Sequence, residues 1–224
     1  MNSNIRNKLE ILNVEILNLE ENQRFDQIKR TLEKELEDNR KELEEVRRTN
    51  TILEREAFED ELTEIPNRRS VNLQLKRLLT NYRGKRSTIA VFIMDIDNFK
   101  AYNDYWGHSE GDRCLMEIAK ELQIIARQNG DMVGRYGGEE FVYISKTPSM
   151  EEATTLGDQI RLRILELGLK YSHSDDKSPV SISIGGVFGK TVDFTEFSQI
   201  MELADRELYR AKEDGRNRSY ITLI

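Results

Sequence analysis

Three groups of residues in this sequence have the types and spacing to do chemistry. The run Ser87–Asp95, STIAVFIMD, is apolar up to its end and continues into Asp95-Ile96-Asp97. Side chains alternate along a strand, so Asp95 and Asp97 fall on one side and Ile96 on the other. A carboxylate ending a buried strand is costly unless it is paired or binds a metal. The second group is Gly137-Gly138, followed at once by Glu139-Glu140. A tight turn at the glycines sends the two carboxylates to opposite sides of a strand. If that hairpin pairs beside the first strand, Asp95 and a hairpin glutamate can share a hard cation. The third group is Lys212 and Arg216, four apart at a helix end, where they are expected to share a face and to meet a phosphate chain. Each group alone has an ordinary explanation: a turn for the acids, the helix dipole for the cations. Their combination points to a metal–nucleotide site.

The elements that must position these groups follow from the pattern around them. Pro66 disfavours helix at Ile65, and Asn67 can cap a helix carried by Val71, Leu73, Leu75, Leu78 and Leu79 to about Tyr82. The β-branched run at Ser87–Asp95 reads as a buried strand. A helix is expected over Gly111–Gln128, with Leu115, Ile118, Ala119, Leu122 and Ile125 on one face. Short strands at Asp131–Tyr136 and Glu140–Ser145 flank the Gly-Gly hairpin. Helix follows over Glu151–Leu167, strand at Val180–Val187, helix from Thr195 to Asp214, and strand at Ser219–Ile224. Helices alternating with strands around one hairpin imply an α/β domain with a mixed sheet flanked by helices.

The first 58 residues differ in kind. From Ile5 to Phe58 there is no Gly or Pro. Apolar residues recur at Ile5, Leu9, Leu12, Ile16 and Leu19. A second series runs Leu32, Leu36, Asn39, Leu43, Val46, Asn50, Leu53, Ala57. This is a heptad seam with two polar members, and it is expected to form a parallel homodimeric coiled coil. The two series do not share one register, and Phe25 and Ile28 lie where the phase slips.

Composition agrees with this division. The 224 residues are 38% hydrophobic and 33% charged, with net charge −7; a long solvated helix accounts for the charge. The acidic balance argues against a general nucleic-acid binder but not against an anionic nucleotide substrate. The single cysteine, Cys114, allows no intrachain disulfide and reads as core packing in a reducing compartment. No apolar run approaches the roughly 18 residues of a membrane span, and the N-terminus lacks a signal-peptide core, so a cytoplasmic location is expected.

Five segments in order carry a family resemblance: DELTEIPNRR at Asp60–Arg69, DIDNFKAYNDYWGHSEGD at Asp95–Asp112, RYGGEEF at Arg135–Phe141, SISIGG at Ser181–Gly186 and ADRELYRAKEDGRN at Ala204–Asn217. Over about Phe58 to Ile224 the sequence resembles the GGDEF family of diguanylate cyclases, in the GGEEF variant. The resemblance implies a polymerase-palm-like nucleotidyl-cyclase fold at 59–224 behind the 1–58 coiled-coil helix. It also implies two protomers facing each other, each binding one GTP with Mg²⁺ or Mn²⁺, and condensation to cyclic di-GMP. Asp95, the Ile96 carbonyl and Glu140 match metal ligands, and Glu139 matches a position assigned to metal binding or to deprotonating the 3′-hydroxyl. Gly137 and Gly138 let the backbone approach the nucleotide. Asn103 and Asp112 match guanine-reading positions, and His108 a nucleotide-pocket position. Lys100, Lys212 and Arg216 match phosphate contacts, with the backbone at Asn98–Phe99 cradling the phosphates. Arg135 matches an arginine near the dimeric catalytic interface.

One departure bears on regulation. The family's product-inhibition site is an Arg-x-x-Asp before the hairpin; here Asp131 is present but Gln128 holds the arginine position, so feedback through that site is expected to be weak or absent. The alternative to an active cyclase is a catalytically silent domain that binds GTP or docks a signalling partner. The intact Asp95, Glu139, Glu140, Asn103, Asp112, Lys212 and Arg216 favour the cyclase.

Overall fold

The computed structural model of the chain describes residues 2–81, 87–171, 179–191, 193–194 and 196–224, without the side chains of 2–7, 9–11, 13, 16, 17 and 81. The chain divides into two compact units between Glu54 and Arg55. The first unit is almost all of helix α1 (Asn2–Phe58), 57 residues without a break. Its described side chains are exposed, including Leu12, Leu19, Leu32, Leu36, Leu43 and Leu53 along the seam and Phe25 and Ile28 at the phase slip. An apolar ladder left open in this way fits a coiled coil. Ile5, Leu9 and Ile16 lie outside the described side chains.

The second unit follows the order α2 (Arg68–Asn81), β1 (Thr88–Ile96), α3 (Phe99–Trp106), α4 (His108–Asn129), β2 (Met132–Gly137), β3 (Glu140–Ser145), α5 (Met150–Glu166), β4 (Ile182–Lys190), α6 (Phe197–Glu213), β5 (Ser219–Leu223). Asn67 begins α2, accepting from Ser70 N with its side chain at 3.1 Å. The strands form one mixed sheet ordered β2-β3-β1-β4-β5. β1 pairs antiparallel with β3 and β4, while β4 and β5 run parallel.

Strict alternation along β1 splits the core in two. Ala90, Phe92, Met94 and Ile96 face α3, α4 and α5; Ile89, Val91 and Ile93 face α2 and α6. Cys114 is buried in the first layer, and burial pushes its thiol up to about 12, which makes it inert. On the other face α6 lies directly on β4. A Cβ at Gly185 would meet Leu208 N at 2.0 Å and Ala204 O at 2.2 Å, so the helix approaches this closely only because position 185 is glycine.

Two expectations need correction. Helix does not start at Gly111: α4 begins at His108, and a separate eight-residue helix, α3, precedes it. α3 is too short to show a period. It is bounded by Asn98 in the left-handed region (φ 55°) and by Gly107 (φ 84°), neither of which follows from an apolar pattern. Lys212 and Arg216 also do not share a helix face. α6 ends at Glu213, and Gly215, Arg216 and Asn217 all take positive φ, so Arg216 sits in a left-handed turn. The helix stops because the Arg216 amide turns back to Ala211 O at 3.0 Å. Tyr82 and Thr195, which figured in expected elements, lie outside the described residues.

Candidate active site

β1 delivers Asp95 to the end of the sheet between two partners, Glu140 of β3 and Ser183 of β4. Asp95 is 7% exposed and lies on the α6 face, as alternation requires. Its carboxylate is pushed up to about 6. Burial is the main cause; the Lys212 ammonium offsets part of it, and Glu139 and Glu140 add repulsion. Lys212 Nζ stands 2.9 Å from Asp95 Oδ2. The close seat of α6 on Gly185 brings that ammonium in, because Lys212 is one turn beyond Leu208.

The hairpin lies beside this corner. Ile96 N donates to Glu139 O at 3.4 Å, tying the turn to the end of β1. The register shifts between Arg135 and Gly137, and Gly138 takes φ 52°. A Cβ at Gly137 or Gly138 would touch nothing within 4 Å. The protein's own packing therefore does not require these glycines, and the space above them is open to a ligand. Arg135 is held from two sides: Nε donates to Gly138 O and Nη1 to Asp60 Oδ1, both at 2.9 Å. Burial raises the Asp60 carboxyl, but hydrogen bonds from Thr63 and Arg135 outweigh it and leave the group below its usual range.

The third wall is α3 with the start of α4. Asn98 carries the chain off β1 in a left-handed turn, and its carbonyl accepts from Tyr102 N at 3.1 Å and Tyr171 Oη at 3.3 Å. Phe99 is buried against Tyr102, with ring centroids 6.0 Å apart, so Lys100 projects outward. Asn103 reaches toward α4, where a Cβ at Gly111 would stand 1.8 Å from its Oδ1. That Oδ1 is buried and accepts no hydrogen bond, and a buried acceptor left alone costs about 1–3 kcal/mol. Asp112, the residue after Gly111, and His108, at the first position of α4, are exposed. Trp106 is half-buried, its indole N–H donating to Tyr171 O at 2.9 Å; Tyr105 is exposed.

The structure thus brings Asp95, Ile96, Glu139, Glu140, Gly137, Gly138 and Lys212 to one corner. Asn98, Phe99, Lys100, Asn103, His108 and Asp112 follow on the elements that leave it. Arg216 comes from the turn after α6. Among the described residues no three Asp, Glu, His or Cys side chains converge closely enough to cage a metal. The cation on Asp95 is the Lys212 ammonium. The donors present, carboxylates and a main-chain carbonyl, suit a hard divalent ion. A buried carboxylate with two further glutamates acting on it is a place where positive charge is stabilised, and the Lys212 ammonium supplies one such charge.

Sequence reasoning missed several residues here: Asp60, which fixes Arg135; Ser181, Ser183 and Asn217, which donate to Asp97; and Arg161, which donates to Asn217. The two serines carried a readable signal. In SISIGG they alternate with isoleucine, so they had to share one face of β4 opposite the apolar one.

This fold and this corner define the class. The family description "Diguanylate cyclase, GGDEF domain" matches residues 57–218, and the chain belongs to that family. Among curated relatives it is 33% identical over 159 residues to diguanylate cyclase DosC of Escherichia coli K12, covering 71% of this chain and 34% of DosC. It is 39% identical over 134 residues to diguanylate cyclase A of Treponema denticola, covering 60% of this chain and 35% of that one. The chain spans about a third of the length of these relatives. Among solved structures, the coiled coil and GGDEF domain of DgcB from Caulobacter crescentus in complex with c-di-GMP matches with TM-score 0.75 at 31% identity, over 85% of this chain and 99% of that one. SiaD from Pseudomonas aeruginosa in complex with its activator SiaC matches with TM-score 0.68 at 27% identity, over 98% and 82%. The fold is thus a GGDEF domain preceded by a long helix that fits a coiled coil. Among the described residues no helix is long and apolar enough to cross a membrane.

Proposed function

We propose that the chain is a diguanylate cyclase, condensing two GTP into cyclic di-GMP and two pyrophosphates as a homodimer joined through a parallel coiled coil of α1. The observation that carries this reading is the buried Asp95, raised to about 6 beside Glu139 and Glu140 and next to a Gly-Gly turn with open space above it. Asp95, the Ile96 carbonyl and Glu140, with Glu139, would hold Mg²⁺ or Mn²⁺. That ion, when bound, neutralises phosphate charge and lowers the pKa of a coordinated hydroxyl.

The protein's own groups do the rest. Lys212 exchanges Asp95 for phosphate oxygens, joined by Arg216 and Lys100, while the amides at Asn98–Phe99 cradle the chain. The exposed Asp112 carboxylate accepts from the N1–H and the exocyclic amine of guanine, with Asn103 at the neighbouring guanine-reading position. Adenine offers no such donor pair on that edge. His108 lines the base pocket. One protomer's 3′-oxygen bonds to the α-phosphorus held by the other. The bond from that phosphorus to the pyrophosphate breaks, and the hydroxyl proton passes to a carboxylate of Glu139 or Glu140. Each chain holds one nucleotide, so two sites must face each other, and a seam along α1 supplies the second. Arg135 keeps the hairpin in place through Asp60 and Gly138. GTP supply places the reaction in the cytoplasm, and a signalling partner can act on α1.

The test is incubation of the full chain with GTP and Mg²⁺, with cyclic di-GMP followed by chromatography. Glu140→Gln is expected to lose at least about 10³-fold in turnover while keeping its circular dichroism spectrum. GTP binding without any product from the wild type would instead identify a silent nucleotide-binding module.

A further inference from the structure

Asp97 lies in the turn just past the end of β1, two residues after Asp95, but takes no part in the mechanism above. It is 5% exposed and fully engaged. Ser183 Oγ donates to its Oδ1 at 2.6 Å; Ser181 Oγ at 2.6 Å and Asn217 N at 3.0 Å donate to its Oδ2. Its own amide donates to Ser181 O at 2.9 Å. Both carboxylate oxygens are therefore occupied by donors of the chain itself, and the group is anchored from β4 on one side and from the turn after α6 on the other.

That turn is strained. Arg216 (φ 63°) and Asn217 (φ 45°) are consecutive non-glycine residues in the left-handed region, which asparagine tolerates and arginine does not favour. Such a conformation persists only where the surroundings over-determine it. Here the Asn217 main chain is fixed by Asp97, and its side-chain Oδ1 accepts from Arg161 Nη1 of α5 at 2.9 Å. Arg161 is itself mostly buried and lies 3.7 Å from Asp158, which accepts from Ser219 at 2.7 Å. The turn is clamped between the end of β1 and α5, and Arg216, next to the Asn217 that Asp97 holds, is exposed.

We infer that Asp97, seconded by Arg161, is a positioning residue for substrate: the two hold the left-handed Arg216–Asn217 turn so that the Arg216 guanidinium meets the phosphate chain of a nucleoside triphosphate. This rests on the cyclase reading for the identity of the ligand and for the phosphate contact of Arg216. The hydrogen bonds define what each substitution does. In Asp97→Asn an amide oxygen can take both Oδ2 bonds while its nitrogen donates to the Ser183 hydroxyl, so the clamp survives without the charge. In Asp97→Ala it is lost.

The experiment measures affinity for 3′-deoxy-GTP, which lacks the attacking hydroxyl, by calorimetry with Mg²⁺, alongside GTP kinetics. Asp97→Ala is expected to weaken binding and raise KM about tenfold with kcat little changed. Asp97→Asn is expected to restore both to within about threefold, and Arg161→Ala to weaken binding about threefold. Unchanged affinity in Asp97→Ala overturns the inference. So does loss of kcat in Asp97→Asn as complete as in Asp95→Asn, because that would show that the charge itself works in the reaction. If Asp97→Ala does not fold, Arg161→Ala and Asn217→Gly decide the matter, since the one removes only the outer clamp and the other only its acceptor; wild-type affinity in both overturns the inference. A wild type that binds 3′-deoxy-GTP but makes no cyclic di-GMP sinks the cyclase reading while leaving the clamp to be read from affinity.

Discussion

Asp95 and Asp97 stand two residues apart, one among the last paired residues of β1 and one just past it, yet the regions they serve are opposites. Asp97 is met by three neutral donors at fixed distances. Asp95 has one flexible ammonium on it and two glutamates acting against it. The first environment is finished and holds a turn; the second is unfinished and needs another positive charge. Sequence position distinguishes them poorly, because both are aspartates in one short motif. Surroundings distinguish them at once: a saturated carboxylate is scaffold, and a buried, raised one is poised for a ligand.

The sharpest way to break this contrast is turnover. Asp95→Asn is expected to lose at least about 10³-fold in cyclic di-GMP formation while Asp97→Asn stays active. Equal losses would erase the distinction. Stability should run the other way. Asp97→Ala strands several buried donors and is expected to cost about 2–3 kcal/mol in urea unfolding, whereas Asp95→Asn should cost less than about 1 kcal/mol.

Proton linkage offers a finer test. The folded-state pKa of Asp95, about 6, lies above its ordinary 3.8. Between those values the native state binds more protons than the unfolded chain, so this group's contribution to stability declines as pH rises and is fully lost above about 6. The stability of Asp95→Asn minus that of the wild type should therefore grow from pH 4 to about 6 and then level off. A difference independent of pH would show that Asp95 is not raised.

Two smaller effects extend the comparison to other carboxylates. Asp60 is paired with Arg135, their side chains 25% and 14% exposed; Asp60→Ala should cost about 1 kcal/mol and loosen the hairpin, seen as faster amide exchange at Gly138. Asp131 accepts from Tyr143 Oη at 3.0 Å and from Lys146 N at 3.4 Å, at the edge of a polar groove of about 590 Å³. With Gln128 where an arginine would stand, micromolar cyclic di-GMP is expected to leave the initial rate unchanged. Inhibition abolished by Asp131→Ala would reverse that expectation.

Much of the architecture was legible in the sequence because the core depends on period. The alternation of β1, the heptads of α1 and the faces of α4 and α5 all follow from apolar spacing, and the hairpin follows from Gly137-Gly138. What could not be read depends on single-residue conformation or on distant partners. α3 hangs on a left-handed Asn98, and the end of α6 on positive φ at three successive residues, so the expected helical pairing of Lys212 with Arg216 gave way to a turn. The hold of Asp60 on Arg135 spans 75 residues, and that of Asp97 on Asn217 spans 120; no local pattern encodes either. Asn103 was visible as a polar residue in a motif, but its unpartnered oxygen became evident only with Gly111 opposite it.

The glycine under α6 has a consequence for how such a sequence can change over time. Gly185 lets Ala204 and Leu208 lie on β4, and the same seat sets where Lys212 ends up. Any side chain at position 185 lifts the helix and draws the ammonium away from Asp95. Selection for a well-packed core and selection for a neutralised carboxylate therefore act on one residue. A lineage that stopped using the site would still have to keep this glycine to keep its fold, so its presence in a descendant would say nothing about activity, whereas Lys212 would be free to drift.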